Sequence, residues 1–340
     1  MLLEGLHIPL TTPFHPDGRL NLPKLAANVA RYSKTPAAGL IVLSPSGEPT
    51  LLSDDETREV LRTVAQAAAP EKVLLAGISR GSVRATLALA DFATEQSYDA
   101  ILIGLPSIVA SKRELLTYFR AVADGSPLPV VLLSANACRI SIDATAELAA
   151  HPNILALLDS TAEAGEIGEI LRRTTTIRRD VAVTTTFAAV TARMIRASAH
   201  TNYISPESLT ITTAAAEPPA VTTLKTRSKT IGFQLLAGRT STMLDALRSG
   251  TVGIAPAFAA CAPQACYEVF AAWKDDDQPL AEEKNDRLQQ AAKLAESAPG
   301  LLKYGCDLNG YFGGLPRLPH LPPTGEQRAV LEHLMEGMRN

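Results

Sequence analysis

Polar residues gather at the C-terminal ends of eight short apolar runs: Thr11-Thr12, Ser44-Pro45-Ser46-Gly47-Glu48, Ser79-Arg80, Pro106-Ser107, Ser134-Ala135-Asn136, Asp159-Ser160, Arg239-Thr240 and Pro256. In the S-P-S-G-E turn, Gly47 lets another backbone approach closely, and Ser46 with neighbouring N–H groups can hold a carboxylate. A tight strand-to-helix connection would read the same way. Arg80 and Arg239 can grip an anionic substrate through bidentate guanidinium contacts, or they can pair with nearby carboxylates. Asp159 is a candidate general base, or the carboxylate that neutralises those arginines. The expected substrate-binding set is Thr12, Ser46, Gly47, Arg80, Asn136, Arg239 and Ala255. None of the strand ends carries His, Lys or Cys on the strand itself, so neither a metal triad nor a thiolate nucleophile is expected. No cofactor is implied.

The runs that position these residues are Gly5 to Leu10, Gly39 to Leu43, Val73 to Ile78, Ala100 to Leu105, Pro129 to Leu133, Ile154 to Leu158, Phe233 to Ala237 and Thr251 to Ala255. Most are continuously apolar, as parallel strands covered on both faces require. Between them lie helical patterns at Pro23 to Tyr32, Asp54 to Ala68, Ser82 to Thr94, Lys112 to Ala123 and Ala144 to Ala150. Ser53 followed by Asp54, Asp55 and Glu56 is a capping box with acid in the first turn, and Pro23 suits a first helical position. Eight strand-helix alternations, with no G-x-G-x-x-G after a strand, predict an α/β fold of the (β/α)8 TIM-barrel type rather than an open dinucleotide-binding sheet. Residues 1–260 form the expected barrel. Residues 261–340 form a C-terminal helical extension with patterns at Pro263 to Trp273, Leu280 to Ala298 and Gly325 to Met338.

One interval is too long for a helix and two loops. An insertion of about 174–230, rich in Thr, Ala and Arg, separates strands six and seven. Long polar excursions in barrels sit in surface loops, so it reads as a lid, a small subdomain or a loosely ordered excursion.

Composition narrows the function classes. The chain has 340 residues, 46% hydrophobic, 20% charged and 5% aromatic, with a formal net charge of -3. It has ample material for a core and no basic field of the kind that binds nucleic acid. Cys138, Cys261, Cys266 and Cys306 form no CxxC pair and read as reduced, mostly buried thiols. The N-terminal MLLEGLHIPLTTPF lacks the regions of a secretory signal, and no run approaches a membrane span. A cytoplasmic protein without membrane or nucleic-acid partners is expected.

The order and spacing of several motifs are similar to a known family. They are P-L-T-T-P-F-H-P-D-G at 9–18, S-G-E-x-x-x-L-S-D-D-E from Ser46 to Glu56, L-L-A-G-I-S-R-G-S at 74–82, L-P-V-V-L-L at 128–133, H-P-N-I at 151–154 and A-L-R-S-G-T-V-G-I at 246–254. This set resembles the dihydrodipicolinate synthase and N-acetylneuraminate lyase family, class I aldolases that bind pyruvate as a Schiff base on lysine. The match covers the N-terminal half and resumes after the insertion. The resemblance implies a homo-oligomer, a dimer or tetramer. It also sets family positions on this chain where the residues differ. The first threonine of G-T-T-G-E falls on Pro45, and the tyrosine after the proline of P-Y-Y falls on Ser107-Ile108. The proton-shuttling tyrosine falls on Leu133 and the Schiff-base lysine on Leu158. No lysine lies between Lys112 and Lys225.

An isobutyl group cannot form an imine. The expected function is therefore a lyase or synthase acting on a small 2-oxo acid by a route other than the lysine imine. Its catalytic candidates are Asp159 and, if the insertion folds over the barrel mouth, Lys225 or Lys229. The alternative is a catalytically degenerate barrel that binds a small anionic ligand or a protein partner.

Overall fold

The computed structural model describes residues 1–107, 109, 111–135, 138–200 and 224–338. Eight parallel strands close into a barrel: β1 (Gly5–Pro9), β2 (Gly39–Val42), β3 (Val73–Gly77), β4 (Ala100–Gly104), β5 (Val130–Ser134), β6 (Ile154–Asp159), β9 (Gln234–Ala237) and β10 (Gly253–Ile254). The helices that cover it are α1 (Leu22–Tyr32), α2 (Asp54–Ala67), α3 (Val83–Glu95), α4 (Lys112–Gly125), α5 (Ile142–Ala149), α6 (Ala164–Arg173) and α8 (Met243–Arg248). Two further strands, β7 (Arg179–Thr184) and β8 (Thr226–Ile231), pair with each other only, and α7 (Ala192–His200) follows β7. Four helices complete the chain: α9 (Pro263–Lys274), α10 (Gln278–Ala295), α11 (Pro299–Leu308) and α12 (Gly325–Leu334).

Strand parity separates two cores. Successive side chains of a strand point to opposite faces. Leu40, Val42, Leu74, Ala76, Ile101, Ile103, Val130 and Leu132 therefore join the outer cluster beneath the helices. Ile41, Val73, Leu75, Ala100, Leu102, Val131, Ala156, Leu158, Leu236 and Ala255 fill the barrel. In β6 a register shift between Val130/Val131 of its neighbour skips Leu155, so that Ala156 and Leu158 rather than Leu157 face inward. A bulge of this kind re-aims every residue that follows it.

His7 also faces inward and is wholly buried. Its Nε2 donates to the Leu3 carbonyl at 3.1 Å, while Nδ1 has no partner among the described residues. Desolvation pulls its pKa from 6.5 to about 4, against the raising effect of the Leu3 bond, so the ring is neutral.

The described parts of the insertion, 174–200 and 224–230, lie away from the mouth of the barrel. The insertion begins after helix α6, so it is a helix-to-strand connection, and such connections lie at the N-terminal face, opposite the loops that build barrel sites. The contacts agree. Arg179 donates to the carbonyls of Ala149 and His151 at 2.8 Å each. Thr191 Oγ1 donates to the Pro70 carbonyl at 2.5 Å, and Ala192 N–H to Asp99 Oδ1 at 2.6 Å. The Arg193 guanidinium reaches the carbonyls of Ser97, Ala69 and Lys72 and lies 3.8 Å from Asp99. All of these partners precede strands. Leu2, Val181, Val183 and Ile231 form a small cluster, and Ala189 packs against both it and the barrel interior.

Among the described residues no helix is long and apolar enough to cross a membrane.

Candidate functional site

At the C-terminal face the same parity decides which side chains reach the mouth. β3 continues inward through Gly77 to Ser79, so Arg80 turns to the helix side. It donates to Asp54 at 2.8 Å, to Thr57 Oγ1 at 2.8 Å and to the Ser79 carbonyl at 3.0 Å. β6 points Leu158 inward and Asp159 outward, toward a groove of about 470 Å3 between α5 and α6. Asp159 Oδ1 accepts from Thr161 N–H at 2.6 Å, Thr161 Oγ1 at 2.7 Å and Ala162 N–H at 2.9 Å. This carboxylate closes its own loop, and neither it nor Arg80 stands as a reactive group in the barrel. Arg239 follows inward-facing Gly238 and turns toward the extension, where burial pushes the Glu296 carboxyl above its ordinary pKa and the charge of Arg239 opposes that push. Glu296 accepts from Thr240 Oγ1 at 2.5 Å and from Phe258 N–H at 3.0 Å.

The two lysine candidates lie far from the mouth. Lys229 Nζ is 3.5 Å from Glu4, just before β1, and exposed Lys225 immediately precedes β8. Both belong to the N-terminal face, because the insertion is a helix-to-strand connection, so neither can reach into the mouth. Asn136 lies outside the described residues.

Thr12, Gly47 and Ala255 are buried at the mouth, where they build rather than line a polar site. Thr12 Oγ1 donates to the Gly47 carbonyl at 2.7 Å. A Cβ on Gly47 would come within 3.2 Å of the Leu10 carbonyl, so the turn lies close on β1. Ala255 is 3% exposed and belongs to the barrel interior. Ser46 is half-buried and precedes Gly47 on the turn. Among the described residues, what faces the mouth is hydrocarbon and hydroxyl: Leu133, Leu158 and Ala255 from the interior cluster, with Thr11, Ser44, Ser79 and Ser160 around them. Leu158 is 3% exposed. Ser79 Oγ accepts from Gly104 N–H at 2.8 Å.

The turn from Leu43 to Glu48 is conformationally unusual. Both bracketing residues are left-handed, Leu43 at φ 57 and Glu48 at φ 54, and a non-glycine residue holds that region only when its surroundings over-determine it. Leu43 thereby joins the outer cluster, out of turn with Ile41, and Ser44 follows at 3% exposure. Gly77 makes this backbone possible, since a Cβ there would lie 2.2 Å from the Leu43 carbonyl oxygen. Gly77→Ala is expected to cost about 1–3 kcal/mol by forcing that loop or β3 to move, which urea denaturation would register.

Glu48 is held from the extension. Its Oε1 lies 2.5 Å from Lys303 Nζ, with side-chain exposures of 1% and 0%. Oε2 accepts from Arg317 N–H at 3.0 Å. Lys303 Nζ also donates to the Leu315 carbonyl at 3.0 Å and sits 4.2 Å over the Phe14 ring. Burial pulls the Lys303 pKa down, and Glu48 opposes that pull. Arg317 packs on Phe14 at 4.4 Å and pairs with Glu56 at 2.6 Å. Nothing in the sequence pattern marks Lys303, which sits in a helical stretch remote from the barrel loops. The inward hydroxyls, by contrast, follow from counting by two along each strand.

A closed parallel barrel whose strand-to-helix loops carry the polar residues places the molecule among (β/α)8 proteins. The chain belongs to the dihydrodipicolinate synthetase family, whose model matches residues 2–216 and 209–337. It is 26% identical to a 4-hydroxy-tetrahydrodipicolinate synthase of Acidiphilium cryptum over 99% of both chains. It is 24% identical to that of Gluconobacter oxydans over 99% of this chain and 97% of the other. Among solved structures, dihydrodipicolinate synthase from Bacillus anthracis superposes with a TM-score of 0.79 at 20% identity, covering 100% of each chain. A prophage protein of the dihydrodipicolinic acid synthase family from E. coli K12, solved in complex with pyruvate, gives 0.77 at 21% identity over 99% of each.

Proposed function

We propose that this family member does not carry out the lysine-imine reaction and that its barrel serves to bind a small molecule at the mouth. The observation that supports this reading is Leu158: the inward position near the top of the sixth barrel strand is a buried isobutyl group in a hydrocarbon cluster. The family resemblance sets the imine-forming amine at that position. Carbonyl activation through an imine needs a neutral amine within bonding reach of the keto carbon. Lys225 and Lys229 belong to the opposite face, and Lys303 is committed to Glu48. A lyase acting on a 2-oxo acid by another route would need a base or an anion-stabilising charge in the mouth, and Asp159, Arg80 and Arg239 face away from it. Binding is therefore the reading preferred over catalysis. A dimer or tetramer is the assembly that the resemblance implies.

The test is reductive trapping. Incubation with pyruvate and borohydride, followed by intact-mass measurement, is expected to leave the protein unmodified. A stoichiometric adduct on any lysine would return the chain to the imine-forming aldolases.

A further inference from the structure

We propose that the mouth selects an uncharged small molecule carrying hydroxyl or carbonyl groups, hydrogen-bonded by Thr11 and Ser44, in place of an anion. The inference rests on the small-molecule-binding reading above and names the chemical class of the occupant.

Its first support is the pair of hydroxyls. Thr11 and Ser44 end adjacent strands, joined just below by a Leu10 N–H to Ile41 carbonyl bond of 2.8 Å. They are 3% exposed, and neither Oγ has a hydrogen-bond partner among the described residues. A buried hydroxyl left unpaired is costly, and each one in a folded protein calls for a specific reason. Here the chain has placed one of them by a strained route: left-handed Leu43 turns its own side chain outward and leaves Ser44 at the strand end. Backbone strain that persists beside an unsatisfied donor is characteristic of a binding cradle.

The second support is the charge around the cradle. Among the described residues, the arginines of the strand-to-helix loops pair with carboxylates or turn away from the mouth. Arg19 pairs with Asp17, Arg80 with Asp54, and Arg139 with Glu166. Arg317 pairs with Glu56 and Lys303 with Glu48, while Arg239 acts on Glu296. The loops at 105–111 and 255–262 contain no charged residue in the sequence, and Asn136 and Ala137 are uncharged as well. A carboxylate entering the mouth would leave water for hydrocarbon with only neutral donors to meet it. Such a transfer is strongly unfavourable, whereas a neutral carbonyl or hydroxyl loses much less and is compensated by two hydrogen bonds.

A matched pair of probes separates the cases: pyruvate and its neutral isostere pyruvamide, titrated calorimetrically at constant ionic strength. Pyruvamide is expected to bind, and pyruvate to bind at least about tenfold more weakly. Ser44→Ala and Thr11→Val are each expected to weaken pyruvamide by about threefold to tenfold. Because each removes an unpaired buried hydroxyl, the melting temperature of the unliganded protein should stay level or rise. Equal or tighter binding of pyruvate, no binding of pyruvamide, unchanged affinity in both variants, or a lowered melting temperature in them would each overturn the proposal. Equal or tighter binding of pyruvate without a borohydride adduct would overturn this inference alone. An adduct would overturn the reading beneath it.

Discussion

Lys303→Met should cost about 3–5 kcal/mol in urea denaturation, because it strands the Glu48 carboxylate in a site where both side chains are essentially inaccessible to water. Removing one partner of a buried pair leaves an uncompensated charge, and that penalty far exceeds what the pair itself contributes. The double variant Lys303→Met with Glu48→Gln should recover most of the loss, since a neutral amide still accepts from Arg317 N–H and leaves no buried charge. If the single and double variants are equally destabilised, the ion pair is not the source of the cost, and the lost Leu315 bond or the packing on Phe14 must be.

The second large effect is a dependence on acid centred on His7. Its folded pKa of about 4 lies below the ordinary 6.5, so between those values the unfolded chain binds a proton that the folded chain refuses. The contribution is fully present above pH 6.5, declines as the pH falls toward 4, and is flat below. Its total is about 3 kcal/mol, of which about 2 kcal/mol is lost between pH 7 and pH 5. Carboxylates held low by arginine, such as Glu56, lose their own contribution on acidification, so the comparison must be between variants. The stability difference between the parent and His7→Leu should change by about 2 kcal/mol over that interval, in the direction of relative loss for the parent at low pH. A constant difference would mean that the ring takes up its proton in the folded state at the usual pH.

The barrel was readable because most strands are continuous apolar runs and each start signal, such as the Ser53–Glu56 capping box, is local chemistry. The face that the insertion meets was hidden for an equally local reason. Helix α6 is short and carries two glycines, Gly165 and Gly168, among its acidic residues, so its buried stripe of Ile167 and Ile170 is easily passed over. Without it, the chain between β6 and β9 has no direction, and a helix-to-strand segment passes for a strand-to-helix lid. Parity is what the list of charged site candidates left out. Arg80, Asp159 and Arg239 each sit one residue past an inward-facing position, so proximity to a strand end brought them near the mouth and alternation turned them away. Even parity would not have sufficed at β6 and β2, where a skipped residue and a left-handed leucine reset the count. Those two irregularities depend on neighbouring strands and loops, and no reading of one strand by itself reveals them. Lys303 meets Glu48 across more than two hundred residues of sequence, a juxtaposition that only the closed barrel creates.

The segment docked beneath the barrel also sets how the molecule can communicate with solvent. With Arg179, Thr191 and Arg193 anchored to the backbone before the strands, and Ala189 packed on the barrel interior, the described part of this segment stands between the lower end of the barrel and water. Water reaching the interior from below would have to part those bonds, so hydrogen exchange at the strand starts reports on the anchors rather than on the rim.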